Sequence, residues 1–140
     1  MHNVQKITLM LLILLLQIGC SAQKLGNSND DSSQVEITTC YKNIHSFEGV
    51  TDIEIIIVKR TGDNLNGIYH WLPAFKDKRL GEFVGVTTSS NLADVMYSFE
   101  QEGVRNQTQL QLEFTQEFIF ISGGEESTGL NRKLKKVKCD

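Results

Sequence analysis

The chain has 140 residues, 40% of them hydrophobic and 22% charged, with a formal net charge of -3. That length holds one compact domain with a core of useful size, and the mild acidity argues against nucleic acid as a partner, because neutralising phosphates takes a basic surface. The one dense basic cluster, Arg132 to Lys138, is short and lies beside Cys139; it reads as a solvated face or the guard of a sheet edge, with contact to anionic lipid or polymer as the alternative.

The first element along the chain is an apolar run from Ile7 to Ile18, interrupted only by Thr8 and Gln17 and preceded by Lys6. It has the length of a secretory signal-peptide core and falls short of the ~20 residues that a membrane-spanning helix needs. A core helix is the bland alternative, but this run has no amphipathic face and is followed by small and acidic residues, which suits a cleaved address better. It ends in Gln17-Ile18-Gly19-Cys20, which resembles the lipobox of bacterial lipoproteins: Gly19 and Cys20 match, while Gln17 and Ile18 depart from the usual leucine and small residue. The resemblance implies cleavage before Cys20, lipid attachment at its thiol and anchoring to a membrane of the bacterial envelope. A cut after Ala22 between small residues competes, and would give a soluble secreted or periplasmic protein. Either cut exports the chain. Residues 1–19 are thus expected to be a signal peptide, and 20–34, low in hydrophobicity and rich in Ser, Asn and Asp, a flexible polar tether. Residues 35–140 form the folded domain.

Three cysteines are an odd number in an exported chain, and lipidation or loss of Cys20 leaves Cys40 and Cys139 as a pair. In an oxidising compartment a disulfide between them is the expectation, with two buried free thiols as the alternative. Such a bond would enclose nearly the whole domain. The chain-entropy account puts the stabilisation from closing a loop of ~100 residues at about 4.7 kcal/mol.

From Val35 onward, alternation with period two dominates. Strands are predicted at Val35–Tyr41, at the β-branched run Ile53–Val58, at Gly67–Leu72 and at Leu80–Thr87. The segment Asn91–Glu102 admits a helix through Leu92, Val95, Met96 and Phe99, but Ala93, Val95, Tyr97 and Phe99 alternate with polar residues, so a strand is preferred. Leu110, Leu112 and Phe114 mark the next strand, followed by Glu117–Ser122 and Leu134–Cys139. Turn residues separate them at Thr61–Gly67 and Glu102–Asn106, and a longer flexible loop is expected at Gly123–Gly129. About eight short antiparallel strands in a domain of this size predict an all-β fold, either an up-and-down barrel of lipocalin or streptavidin type or a β-sandwich. In a barrel, the Cys40–Cys139 bond would staple the seam.

With the strands placed, the early Cys40-Tyr41, Gly67, Lys76-Asp77, Gly81, Gly85, Tyr97-x-Phe99 and Glu102-Gly103 resemble the pattern of small uncharacterised envelope lipoproteins of Bacteroidetes-type bacteria. The similarity runs over most of the domain and consists of turn and strand punctuation. It implies an envelope lipoprotein with a barrel-like fold and implies no activity.

Motifs that carry chemistry are sparse. His45 and His70 are the histidines of the expected domain, and neither sits in a metal-ligand spacing, so no metal or other cofactor is expected. No nucleophile elbow, Cys-His signature or phosphate-cradling glycine loop is present, so catalysis is not expected. Glu100 and Glu102 could share a strand face, an arrangement more typical of a solvated strand end than of paired catalytic acids. The cluster that stands out is aromatic. Tyr69, Trp71, Tyr97 and Phe99 would line a cavity or mouth if their faces point inward, although small barrels usually fill themselves with side chains. The function expected is therefore monomeric, non-catalytic binding of a small apolar ligand or an envelope partner. The alternative is a protein-directed inhibitor or assembly factor acting through loops near Leu72–Arg79 and Gly123–Leu130.

Overall fold

A computed structural model describes residues 34–139; the expected signal peptide, Cys20 and nearly all of the tether lie outside the described residues. The domain is an all-β closed barrel of eight antiparallel strands, each beside its neighbours in sequence. They are β1 (Glu36–Phe47), β2 (Val50–Thr61), β3 (Asn64–Leu72), β4 (Arg79–Thr87), β5 (Leu92–Gln101), β6 (Val104–Phe114), β7 (Phe118–Gly123) and β8 (Arg132–Val137). Of the two predicted architectures, the up-and-down barrel is the one formed, and the segment open to a helical reading is strand β5.

Turn chemistry sets the register of the hairpins. Phe47 pairs with Val50 and Gln101 with Val104, so Glu48-Gly49 and Glu102-Gly103 are two-residue connections. All four residues take positive φ, at 49° and 80° and at 54° and 73°. That is the type I′ geometry whose twist matches the strands it joins. The sequence pattern predicts a first strand that ends at Tyr41; β1 runs six residues further, to the Glu48-Gly49 turn.

The barrel closes where β8 meets β1 through the pairs Cys40–Val137, Tyr41–Lys136 and Lys42–Lys135. Cys139 follows just beyond and is bonded to Cys40, with 5.3 Å between their Cα atoms. The disulfide thus spans the seam. Closure leaves no free sheet edge for the basic cluster to guard. Its basic residues are all exposed, and Leu134 is the one side chain of the cluster that is buried.

The interior is packed. Tyr41, Ile56, Val58, Leu65, Tyr69, Phe83, Val95, Tyr97, Phe99, Leu110, Leu112, Ile119, Ile121 and Leu134 form one cluster, as expected for a barrel of eight strands. Glycines make room for the rings. A Cβ on Gly81 would lie 2.5 Å from Tyr97 Cε2 and 2.7 Å from Phe99 Cβ, and one on Gly67 would lie 2.6 Å from Phe83 Cζ. The Tyr69 and Tyr97 ring centres stand 5.3 Å apart, and those of Tyr97 and Phe99 stand 5.0 Å apart and stacked. Apolar side chains fill the inside, while Arg105, Gln107, Gln109, Gln111 and Glu113 of β6 face out. The outer face of β4 is more apolar by contrast, with Leu80, Val84 and Val86 exposed.

Candidate binding site at the barrel mouth

Because the strands alternate in direction, the β1–β2, β3–β4, β5–β6 and β7–β8 connections share one end, the mouth. The start of β1 and the end of β8 lie at the other. Near the mouth the inward face turns from apolar to polar. Along β2, Val58 and Ile56 give way to Glu54 and Asp52; along β1, Tyr41 gives way to Asn43 and His45. The register pairs Asn43 with Glu54, His45 with Asp52 and Glu54 with Trp71. The β1–β8 ladder stops at Lys42 and Lys135, so Asn43 and His45 have no ladder partner on that side and a hollow opens beside the seam. It has a volume of about 280 Å³ and is lined by Asn43, His45, Asp52, Glu54, Trp71 and Arg132.

Glu54 forms the floor. It is 7% exposed, and its Oε1 accepts a hydrogen bond from Tyr69 Oη at 3.0 Å and another from Arg132 Nε at 3.2 Å. The pairing with Arg132 supplies the countercharge that a carboxylate at such depth requires. At the rim, Asp52 Oδ1 accepts the Ala74 backbone N–H at 2.9 Å, tying β2 to the loop after β3. Depressions on the outer wall, such as the one of about 420 Å³ bordered by His70, Leu80, Glu100 and Arg105, are more open. The two buried charged side chains among the described residues are Glu54 and Arg79, and of these Glu54 reaches the hollow.

Beneath the mouth, Arg79 is 2% exposed with its guanidinium 5.5 Å from the ring centres of Tyr69 and Trp71 and 5.8 Å from that of Phe99. Cation–π attraction replaces water around this charge. Its Nη1 donates to the Thr128 carbonyl at 2.6 Å, whereas Nε is buried without a partner. Thr128 belongs to the segment expected to be a flexible loop. Instead it is folded onto the barrel: Glu126–Thr128 make one 3₁₀ turn, Gly129 takes φ 60°, and Leu130 is fully buried in the core. The Gly123 N–H donates to Asn131 Oδ1 at 3.1 Å, closing the base of the segment.

Burial pushes the Tyr69 hydroxyl well above its ordinary value of 10.0, and the adjacent Glu54 charge adds to the rise against a smaller opposing pull from Arg79. Tyr97, which donates to the Tyr69 carbonyl at 2.7 Å, is pushed up to about 12, again chiefly by burial. Both phenols therefore stay neutral across the physiological range. On the outer face, burial lowers His70, with Glu82 pulling the other way.

Of the four aromatic residues singled out in the sequence, Tyr69, Tyr97 and Phe99 pack against one another in the core, and Trp71 reaches the hollow. The sequence reading passed over Asn43, His45, Asp52, Glu54 and Arg132. A period-two reading of β2 would have found two of them, since Asp52 and Glu54 share the face of Ile56 and Val58. Among the described residues no group of three or more His, Cys, Asp or Glu side chains could share a metal ion, and no helix is long and apolar enough to cross a membrane. Comparison of the chain with protein-family models, with curated proteins and with solved structures finds no match.

Proposed function

We propose that this chain is an exported, lipid-anchored domain of the bacterial envelope that acts by binding, without turnover, and that the barrel mouth is its binding surface. The observation that carries this reading is the contrast between a filled interior and an open hollow floored by Glu54. A ring-packed core leaves an apolar ligand no room inside, which moves recognition to the rim and changes its chemistry from apolar to polar. The lining offers hydrogen-bonding groups, and no Ser, Thr or Cys nucleophile is among its six side chains. The chain enters β1 at the end opposite the mouth, so an anchor upstream at Cys20 would join the barrel there.

Two measurements test the reading. Amide-shift mapping of the full chain with size-fractionated soluble envelope material is expected to move signals of Asn43–Glu54, Trp71 and Arg132; shifts confined to the outer face of β4 and β5, or none, would overturn it. Intact mass of the full chain from a membrane fraction is expected to show a diacyl or triacyl increment on a chain beginning at Cys20. An unmodified chain beginning at Gln23 would overturn the anchor.

A second reading, docking to a protein through the mouth loops, is favoured by Phe75. It is 85% exposed at the tip of the β3–β4 loop, between Ala74 and Lys76. Solvating so large an apolar side chain is unfavourable, and a protein partner would remove the cost. Loss of a captured partner on Phe75→Ser, with the mouth shifts unchanged, would separate the two readings.

A further inference from the structure

We infer that the ligand of the mouth is a neutral, hydroxyl-rich ring, a single saccharide unit; the inference rests on the proposed reading of the mouth as the binding surface. The fixed charges weigh against an anion, which would face both carboxylates. Glu54 is already paired with Arg132 at 3.2 Å, so a cation would have to compete with Arg132 for it and would be left with Asp52, whose Oδ1 also accepts the Ala74 N–H, as its single uncompensated countercharge.

A neutral polyol meets neither obstacle. Asn43 offers a donor and an acceptor, the His45 ring offers an N–H, the second oxygens of Asp52 and Glu54 accept, and the guanidinium of Arg132 has further N–H groups beyond those spent on Glu54 and the Asn131 carbonyl. Each sugar hydroxyl both donates and accepts, so it is satisfied by neighbouring groups of opposite kind, and a close mixture of the two is what the hollow supplies. Trp71 adds a flat apolar wall to this ring of planar polar groups, matching the C–H face of a pyranose with its amphipathic indole. The volume of about 280 Å³ suits one such ring and is near the lower end of small-ligand pockets.

Trp71 is the sole tryptophan of the chain, so its emission reports on the side chain that lines this hollow. The full chain is titrated into the millimolar range with methyl glycosides of glucose, galactose, mannose and N-acetylglucosamine. Further arms use the same units at the non-reducing ends of oligosaccharides, and agmatine as a cationic probe. A saturable change with at least one glycoside is expected, and the arm with the tighter response identifies free sugar or glycan terminus as its source. Asp52→Asn, which keeps Oδ1 for the Ala74 N–H, and the exposed Asn43→Ala are each expected to weaken it about tenfold, the scale of one lost hydrogen bond to a charged or well-placed polar group. Saturation by agmatine without any glycoside response would overturn the saccharide inference and leave the mouth as a binding surface. Silence with every probe would also overturn it, and silence in the amide-shift mapping as well would remove the mouth reading beneath it.

Discussion

At the scale of single residues, the barrel is a fit between glycines and rings. Gly81 lies opposite Phe99 across the β4–β5 ladder, and the space its missing side chain leaves is occupied by Tyr97 and Phe99 at 2.5 and 2.7 Å. Gly81→Ala is therefore expected to force both rings off their positions, at about 1–3 kcal/mol of stability, read as a lowered urea midpoint. An unchanged midpoint would mean that the rings yield freely. The same burial makes the phenols a source of pH dependence. Folding holds Tyr69 and Tyr97 protonated above the ordinary value of 10.0, so the folded state binds more protons than the unfolded chain once pH passes that value. Their contribution is complete below pH 10.0 and is lost as pH climbs toward the folded value, about 12 for Tyr97. Urea midpoints should accordingly fall across that interval, and Tyr97→Phe should flatten part of the slope; an identical slope in the variant would contradict the assignment.

At the scale of elements, the segment between β7 and β8 shows how a charge can organise a connection. Arg79, at the head of β4, lies among three aromatic rings and holds the segment through the Thr128 carbonyl. Methionine at this position removes the desolvation cost of the buried cation together with its bond to the Thr128 carbonyl, two effects of opposite sign. Arg79→Met is thus expected to leave the unfolding midpoint little changed while amide exchange of Glu126–Leu130 accelerates. Equal protection in both proteins would show that Leu130 anchors the segment unaided.

At the scale of the whole molecule, stability depends on how the seam is held. The β1–β8 ladder has three paired positions, against twelve between β1 and β2, and the disulfide next to it links residues 99 apart in sequence. Reduction, or a double Cys40→Ala and Cys139→Ala variant, is expected to cost about 2–5 kcal/mol, measured by denaturant unfolding with and without reductant. A loss below about 1 kcal/mol would mean that the short ladder closes the barrel by itself. The seam also bears on the proposed function, because the hollow opens where the ladder ends, and loosening the seam should disturb Asn43 and Arg132 before the rest of the core.

The sequence by itself determined the all-β class with about eight strands, favoured the pairing of Cys40 with Cys139 over two free thiols, and placed a turn at Glu102–Asn106, of which Glu102-Gly103 form the turn and Val104–Asn106 already belong to β6. Each rests on a local rule: side chains alternate along a half-buried strand, positive φ favours Gly, and the expected loss of one of three thiols leaves a pair. Alternation lost its meaning near the mouth. There the inward face of β1 carries Asn43 and His45, and the upper part of β6 runs from Val104 through Arg105, Asn106 and Gln107. With polar groups on both faces the period-two signal vanishes, so the pattern marks a strand only as far as Tyr41 and gives no sign of the Glu48-Gly49 turn. Tertiary structure alone decided that the aromatic cluster fills the barrel instead of lining a cavity, because ring packing depends on glycines contributed by facing strands. It alone brought Arg132 to Glu54, 78 residues apart, since no local pattern encodes a contact made only by closing the sheet on itself.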